Sequence, residues 1–279
     1  VDGRLLYGRG AVDAKGSLCT FAVAARRAHI PENIRLIVIG AVEEEAATSK
    51  GARYAATQFT PQACLIGEPS QWDRITLGYK GRLLIDWRWE GALAHSAGLI
   101  ASPAEHAVIY WQRVQEYAAQ FNRDVSSPFK QLLPSLRTIN AGQDGAYGWA
   151  EATIGLRLPP DLAPDEVAES LAPSDDATVR VYGGERAYVA ERDTILSRVM
   201  RGAIRAEGGQ PRFVYKTGTS DMNVVGPIWQ CPIVAYGPGD AALDHTPDEH
   251  INLDEYLQAI RVLTDALENL TVNITGSSS

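Results

Sequence analysis

Basic residues are in short supply in this sequence, which has 26 Lys and Arg against 34 Asp and Glu and a formal net charge of −8. Nucleic-acid surfaces are built from basic side chains that neutralise phosphates, so this balance argues against a nucleic-acid partner. The sequence also lacks any run of about 18 apolar residues, and no charged stretch precedes an apolar one at its start. We therefore expect a chain that neither spans a membrane nor carries a visible targeting signal.

Cysteine is scarce as well. The sequence has three cysteines, an odd number: Cys19, Cys64 and Cys231. They are far apart, and each lies within an apolar segment. Proteins held together by disulfides carry paired cysteines, so this pattern predicts reduced thiols in a core and a cytoplasmic setting.

The first 74 of the 279 residues follow an alternating helix and strand pattern. An Ala-rich stretch at 18–27 predicts a helix, and the β-branched apolar run at 34–42 predicts a buried strand. A second helix is predicted at 51–59 and a short buried strand at 63–66. Such alternation is typical of an α/β domain.

The pattern changes between residues 75 and 184 and then returns. Partly alternating strands at 83–89 and 153–158 flank an amphipathic helix at 103–121. After residue 184 the sequence predicts a helix at 193–207, a strand at 233–236 and a closing helix at 253–267. We predict an α/β fold with a central mixed or parallel sheet and helices on both faces, formed by 1–74 and 185–272. An α+β lid or dimerisation insert at 75–184 interrupts it, and a tail follows at 273–279.

Acidic and histidine residues stand at predicted strand ends or in glycine-rich loops, where open α/β sheets bind their ligands. Asp13 lies in a loop with three glycines, the triplet 43–45 is all glutamate, and Glu68 ends the next strand. His245 lies in the loop after the strand at 233–236. A mixed Asp, Glu and His set is what a catalytic zinc site uses.

Each of these residues also has a simpler interpretation. Asp13 could cap a helix, the glutamate triplet could be a solvated turn, and His245 could be a surface residue. Against the solvated turn, adjacent carboxylates raise one another's pKa unless a cation compensates them. Two neighbouring strands that both end in acid suggest a shared cation site.

Several motifs together resemble the zinc amidohydrolase and metallopeptidase superfamily of acetylornithine deacetylase, succinyl-diaminopimelate desuccinylase and aminoacylase. Within it the nearest likeness is to N-acetyl-lysine deacetylases, also described as LysW-lysine or LysW-ornithine hydrolases. The likeness extends from residue 1 to about residue 267 and rests on six segments: GRGAVDAKG, VEEEAATSKGAR, GEPS, GALAHSAG, KTGTSDMN and YGPGDAALDHTPDEHI.

The resemblance implies a site for two zinc ions, which Co²⁺ or Mn²⁺ would also suit. Asp13 would bridge the two ions. Glu45 and His245 would complete the binding of one ion, and Glu68 would bind the other. Glu44 would be the general base that takes a proton from the attacking water.

The acidic triplet leaves one ambiguity of register. The family usually shows Asp-Glu-Glu at this point, so a shift of one residue would make Glu43 the base and Glu44 the ligand. Counting from Gly40 favours Glu44 as the base and Glu45 as the ligand.

The resemblance also implies residues that contact the substrate. His95 resembles a histidine that, in dimeric relatives, reaches into the partner's active site and stabilises the tetrahedral oxyanion, which implies a homodimer. Arg157 matches an arginine that binds a substrate carboxylate. The loop Thr217, Gly218 and Thr219 resembles one that contacts the substrate. A surface histidine, a strand-surface charge and a plain glycine turn are the alternatives.

The sequence departs from the family in two places. Tyr147-Gly148-Trp149 replaces an Asn-Val-Ile-Pro-like segment, so the family's substrate contacts from that stretch are not carried over to this sequence. A His-x-Asp segment that supplies a zinc-binding histidine upstream of the Gly-Arg-Gly loop has no counterpart here. We therefore expect the site that holds Glu68 to be incomplete and this piece to be impaired relative to the intact hydrolase.

The expected reaction is metal-dependent hydrolysis of an amide on the amino group of an amino acid. It would release lysine or ornithine from an acyl or carrier-protein-linked precursor in lysine or arginine biosynthesis. A general acylamino-acid deacylase or dipeptidase of the same superfamily is the alternative among enzymes. A non-catalytic binding protein with this fold is the alternative outside them. The expected partners are the small or carrier-linked substrate and a second copy of the chain.

Overall fold

A computed structural model describes residues 1–93, 100–173 and 176–276, with side chains as far as residue 273. The chain divides into two compact units. Unit 1 comprises Val1–Gly78, Val189–Lys216 and Ser220–Ser279, and unit 2 comprises Tyr79–Tyr188 and Thr217–Thr219. The predicted boundaries were at 74/75 and 184/185.

The described residues form a mixture of helices and strands, and the α/β class predicted from the sequence is confirmed. The helices are α1 (Lys15–Arg27), α2 (Lys50–Gln58), α3 (Pro103–Phe121), α4 (Pro164–Ser170), α5 (Ile195–Ala206), α6 (Asp221–Trp229) and α7 (Leu253–Gly276). The strands are β1 (Leu5–Tyr7), β2 (Cys64–Gly67), β3 (Arg74–Tyr79), β4 (Gly81–Ala92), β5 (Leu133–Asp144), β6 (Tyr147–Leu158), β7 (Thr178–Glu185), β8 (Tyr188–Val189), β9 (Arg212–Lys216), β10 (Ile233–Tyr236) and β11 (His250–Asn252).

A mixed five-stranded sheet underlies unit 1. Its order is β2-β10-β3-β8, with β9 beside β3, and β10 runs parallel to β2 but antiparallel to β3. All four residues of β10 are buried, as its apolar sequence predicts. The Tyr236 hydroxyl donates to the Trp72 carbonyl at 2.7 Å, so its polar atom is satisfied in the core.

Helix α7 covers this core with an apolar stripe. Ala259, Val262, Leu263 and Ala266 recur at helical spacing and are all buried. The helix was predicted to end at residue 267 but runs to Gly276. The stripe continues through Leu267 and Leu270, both buried, which explains the longer helix; residues 277–279 lie outside the described part.

Unit 2 is built on an antiparallel four-stranded sheet in the order β5-β6-β4-β7. Alternate residues of β4, Leu83, Ile85 and Trp87, are buried in its core. Helix α3 packs on this core, where Tyr110 stacks on Trp87 with ring centroids 5.4 Å apart. The predicted helix at 103–121 is confirmed at both ends.

The predicted buried strand at 34–42 is wrong. The segment does not form a strand, and its central residues 36–39 are each 37–42% exposed. With α1, β2 and α7 it lines a cavity of about 920 Å³. A strand is stabilised by backbone bonds to a neighbour, and within the described chain this segment pairs with none of the strands.

The cysteines only partly match their prediction. All three are free thiols, but Cys19 is exposed, and Cys64 and Cys231 are partly buried. Cys19 lies in α1, whose buried face is formed by residues such as Thr20 and Ala24. The spacing of apolar residues alone did not show on which face of this Ala-rich helix the Cys19 thiol would lie. No helix in the described ranges is both long and apolar enough to cross a membrane.

Candidate metal centre

The candidate residues of unit 1 lie in loops at one edge of its sheet. Because β2 and β10 are parallel neighbours, with Gly67 paired with Tyr236, their carboxyl ends leave the sheet together. Glu68 follows β2 directly, and His245 lies in the loop that follows β10. Parallel strands thus bring side chains from distant parts of the sequence to one place.

Asp13, Glu45 and His245 form a group that can hold one metal ion. Each offers a ligand atom, and these atoms lie within 4.8 Å of one another. His245 Nε2 is 3.5 Å from a Glu45 oxygen and 3.7 Å from a carboxylate oxygen of Asp13. Two carboxylates and one imidazole are donors that suit Zn²⁺.

The environment of Asp13 also fits a cation. Burial and then the charge of Glu45 raise the pKa of Asp13, so a nearby cation would stabilise its ionised form. Asp13 does not cap α1, because the capping position is Ala14 and it makes no side-chain bond. The helix-cap interpretation of Asp13 is therefore wrong.

Glu44 and Glu68 meet beside this group. Burial, followed by the charges of Glu44 and Asp13, raises the pKa of Glu68 well above its usual range, and its carboxyl hydrogen bonds to Glu44. Burial raises the pKa of Glu44 to about 7, with the charges of Asp221, Asp13 and Glu45 adding to the effect. Glu44 is thereby poised to exchange protons near neutral pH.

The side chain of Glu43 has different hydrogen-bond partners from those of Glu44 and Glu45. Its backbone is left-handed, with φ of 58°, and its carboxylate accepts bonds from the Thr48 hydroxyl at 2.6 Å and Lys50 Nζ at 3.0 Å. These bonds lower its pKa. This geometry supports the register in which Glu44 is the base and Glu45 the ligand.

The sequence interpretation missed two further acids near the centre. Burial raises the pKa of Asp221 to about 6, and burial with the charge of Asp13 raises that of Asp244 to about 7. One buried oxygen of each has no hydrogen-bond partner within the described part of the chain. The only signal in the sequence for these two acids was where they stand: Asp244 immediately precedes His245, and Asp221 lies in the KTGTSDMN motif.

Glu249 was also missed as a part of this region. Its carboxylate is 3% exposed, and burial alone would raise its pKa. Backbone N–H donors from Val12, Gly10 and Asp13 outweigh the burial, so the pKa is lowered. Glu249 is therefore ionised although it is buried.

The predicted substrate residues Arg157 and Thr219 lie together in unit 2. Arg157 Nη1 donates to the Thr219 hydroxyl at 2.6 Å. Burial lowers the pKa of Arg157, with further contributions from the positive charges of Arg82 and Arg137. Clustered arginines favour an anionic ligand. Thr217 and Gly218 adjoin Thr219 in the same unit, and His95 lies outside the described residues.

An α/β unit that collects carboxylates and an imidazole at the carboxyl edge of its sheet has the arrangement of a metal-dependent hydrolase. The chain belongs to peptidase family M20/M25/M40, because residues 1–269 match the sequence model of that family. Members of this family are metal-dependent hydrolases, as the resemblance implied.

The chain is similar to curated proteins over most of its length. It is 50% identical to the LysW-lysine hydrolase of Deinococcus radiodurans in an alignment of 275 positions that covers 95% of this chain and 76% of the relative. It is 36% identical to a putative LysW-lysine/LysW-ornithine hydrolase of Thermococcus kodakarensis over 97% of this chain and 71% of the relative.

Solved structures share its fold. An M20 family metallo-carboxypeptidase from Sulfolobus solfataricus aligns with a TM-score of 0.77 and 17% identity, over 98% of this chain and 79% of that one. Human carnosine dipeptidase 1 aligns with a TM-score of 0.68 and 17% identity, over 98% of this chain and 75% of its own. At these identities the likeness concerns the fold alone.

Proposed function

We propose that the protein hydrolyses an amide on the amino group of an amino acid and releases lysine or ornithine from a LysW-linked or acyl precursor. The observation that carries this proposal is the Asp13, Glu45 and His245 group with the partly buried carboxyl of Glu44 beside it. The 50% identity to a LysW-lysine hydrolase supports the substrate. Lysine or arginine biosynthesis and a cytoplasmic setting go with this role.

The metal complement in this proposal is two Zn²⁺ ions. Asp13 would bind both ions, Glu45 and His245 would complete one site, and Glu68 would contribute to the other. Bound ions of this kind supply Lewis acidity, which polarises a carbonyl and lowers the pKa of water.

The residues of the chain perform the proton transfers and the positioning. Glu44 accepts a proton from the attacking water and returns it to the leaving amine. Arg157, aligned by Thr219, binds the carboxylate of the substrate through its planar guanidinium. His95 of a second copy stabilises the oxyanion, so the active form in this proposal is a homodimer.

The test is amide hydrolysis by the Zn²⁺-loaded protein, with release of the free amino acid measured by mass spectrometry. The substrates are LysW-linked lysine, LysW-linked ornithine, acetyl-lysine, acetyl-ornithine and an unmodified dipeptide. Faster turnover of a LysW-linked substrate than of the dipeptide is expected. Turnover of the dipeptide alone would replace this proposal with a dipeptidase, and no turnover of any amide by a metal-loaded protein would reject hydrolysis.

A further inference from the structure

A buried carboxylate outside the proposed ligand set ties together the two loops that carry it. Glu249 Oε1 accepts backbone N–H bonds from Val12 at 3.0 Å and Asp13 at 3.2 Å. The Glu249 carbonyl in turn accepts the N–H of Gly8 at 3.0 Å. One residue therefore holds the loop of residues 8–13 at both ends.

This contact bridges a long separation in sequence. Val12 and Glu249 are 237 positions apart, and Glu249 lies four residues after His245. The segment that supplies the imidazole thus also fixes the loop that supplies the Asp13 carboxylate. A shift of the loop would change the distance between the Asp13 Oδ2 and His245 Nε2 atoms, which is 3.7 Å.

Arg9 strengthens this connection at the surface. Its Nη1 atom lies 3.5 Å from His245 Nδ1 and 3.8 Å from Glu249 Oε2. The same loop thus contacts His245 through a side chain and Glu249 through its backbone. Metal-ligand geometry depends on such supporting bonds because they determine where each donor atom lies before the ion arrives.

We propose that Glu249 is a positioning residue for the metal centre, which fixes the Asp13 loop against the His245 segment so that both donors reach one ion. It is not itself a ligand in this proposal. The role rests on the metal site of the proposed function but not on the identity of the substrate.

The variants Glu249→Ala and Glu249→Gln test this role. Alanine removes the acceptor of the Val12 and Asp13 N–H groups, whereas glutamine keeps an amide oxygen that can accept them. Glu255→Gln is the matched control, because Glu255 is a carboxylate of the same unit that accepts two backbone N–H bonds, from Trp72 and Gly239, each at 3.1 Å. It has no bond to the Asp13 loop among those described.

Metal binding is measured with Co²⁺, whose visible absorption spectrum reports the geometry of its ligands, and with Zn²⁺ by calorimetric titration. We expect Glu249→Ala to weaken metal affinity 10- to 100-fold and to change the Co²⁺ spectrum. Glu249→Gln should recover a large part of both. Glu255→Gln should keep metal affinity within twofold of wild type even where it lowers the melting temperature of the metal-free protein.

Metal affinity and a Co²⁺ spectrum that are unchanged in Glu249→Ala would overturn the proposal, and so would a wild-type chain that binds no Co²⁺. If the alanine variant does not fold, Glu249→Gln is compared with Glu255→Gln, and a loss of metal affinity in Glu255→Gln as large as or larger than the loss in Glu249→Gln would overturn the proposal. A wild-type protein that binds metal but cleaves no amide would refute the proposed function and leave these readouts intact, so the two failures are distinguishable.

Discussion

Three consecutive glutamates occupy three different environments at the metal centre. Glu43 binds Thr48 and Lys50, Glu44 hydrogen bonds with Glu68, and Glu45 joins the metal-binding group. The backbone of Glu43 is left-handed, with φ of 58°. Identical residue types are thus assigned different chemistry by backbone direction and burial alone.

This difference predicts that Glu44→Gln and Glu43→Gln have unequal effects. Glutamine at position 44 cannot accept a proton, so kcat on the best substrate should fall about 10²- to 10⁴-fold while bound zinc per chain stays the same. Glu43→Gln is the adjacent control and should keep kcat within about threefold. Steady-state kinetics and elemental analysis measure both quantities. A larger loss of kcat in Glu43→Gln would shift the register by one residue.

At the scale of elements, the sequence predicted helices and strands best where the local residue pattern alone defines where they begin and end. The helix at 103–121 was located at both ends because its apolar spacing is regular and agrees with the start at Pro103, and β10 because its apolar run lies between Pro232 and Gly237. The run at 34–42 has the composition of a strand, but strand formation also depends on a pairing neighbour that composition does not contain.

The site was predictable to a similar extent and for a similar reason. Acids and a histidine at strand ends could be located from the strands, and the resemblance assigned their roles. Asp221, Asp244 and Glu249 could not be found in this way, because their importance comes from burial and from backbone groups distant in sequence.

The unpaired segment at 34–41 predicts a local difference in amide exchange. No backbone N–H of residues 35–41 has a backbone acceptor among the described bonds, whereas those of β10 are enclosed between β2 and β3. Deuterium uptake at 35–41 should therefore be complete within seconds to minutes, and uptake at Ile233–Tyr236 should be far slower. Mass-spectrometric exchange measures both segments in one sample. Equal protection would show that the segment is paired in solution.

Lys80 stabilises the start of β4 in a way that depends on pH. It is fully buried, and its ammonium donates to the carbonyls of Pro128, at 3.0 Å, and Gln131. Burial lowers its pKa from 10.5 to about 8, with the charge of Arg157 adding to the effect. The unfolded chain therefore holds more protons between about pH 8 and 10.5, so this group adds stability as the pH rises through that window.

The expected size of this effect is roughly 3 kcal/mol across the whole window, from about 1.4 kcal/mol per pKa unit. The free energy of unfolding of wild type minus that of Lys80→Met should therefore increase between pH 8 and pH 10. Urea denaturation at each pH measures the difference. The control is Lys130→Met, because Lys130 is exposed and lies in the turn at Pro128–Lys130 that accepts a hydrogen bond from Lys80. This variant should show no such trend. A flat difference for Lys80→Met would mean that the Lys80 pKa is not lowered.

At the scale of the whole molecule, the proposed metal ligands all belong to unit 1. Asp13, Glu45, Glu68 and His245 lie in its segments, and the core of unit 2 contains none of them. An ion that binds only the folded form stabilises the structure that holds it. Metal binding should therefore divide the chain into a part that gains stability and a part that does not.

With free Zn²⁺ at about 100 times its dissociation constant, unit 1 should gain about 2.7 kcal/mol, or roughly 5 to 10 °C in melting temperature. Hydrogen exchange during a thermal ramp, with and without metal, resolves the units through peptides from β10 and from β4. The β10 peptide should shift to higher temperature and the β4 peptide should not. His245→Ala should strongly reduce the shift, whereas His250→Ala should retain it, because the ring of His250 lies tilted by 41° against the ring of Tyr7 and bonds the Asp248 carbonyl instead. Equal shifts of both peptides would mean that the two units unfold as one, and an undiminished shift in His245→Ala would mean that His245 holds no ion.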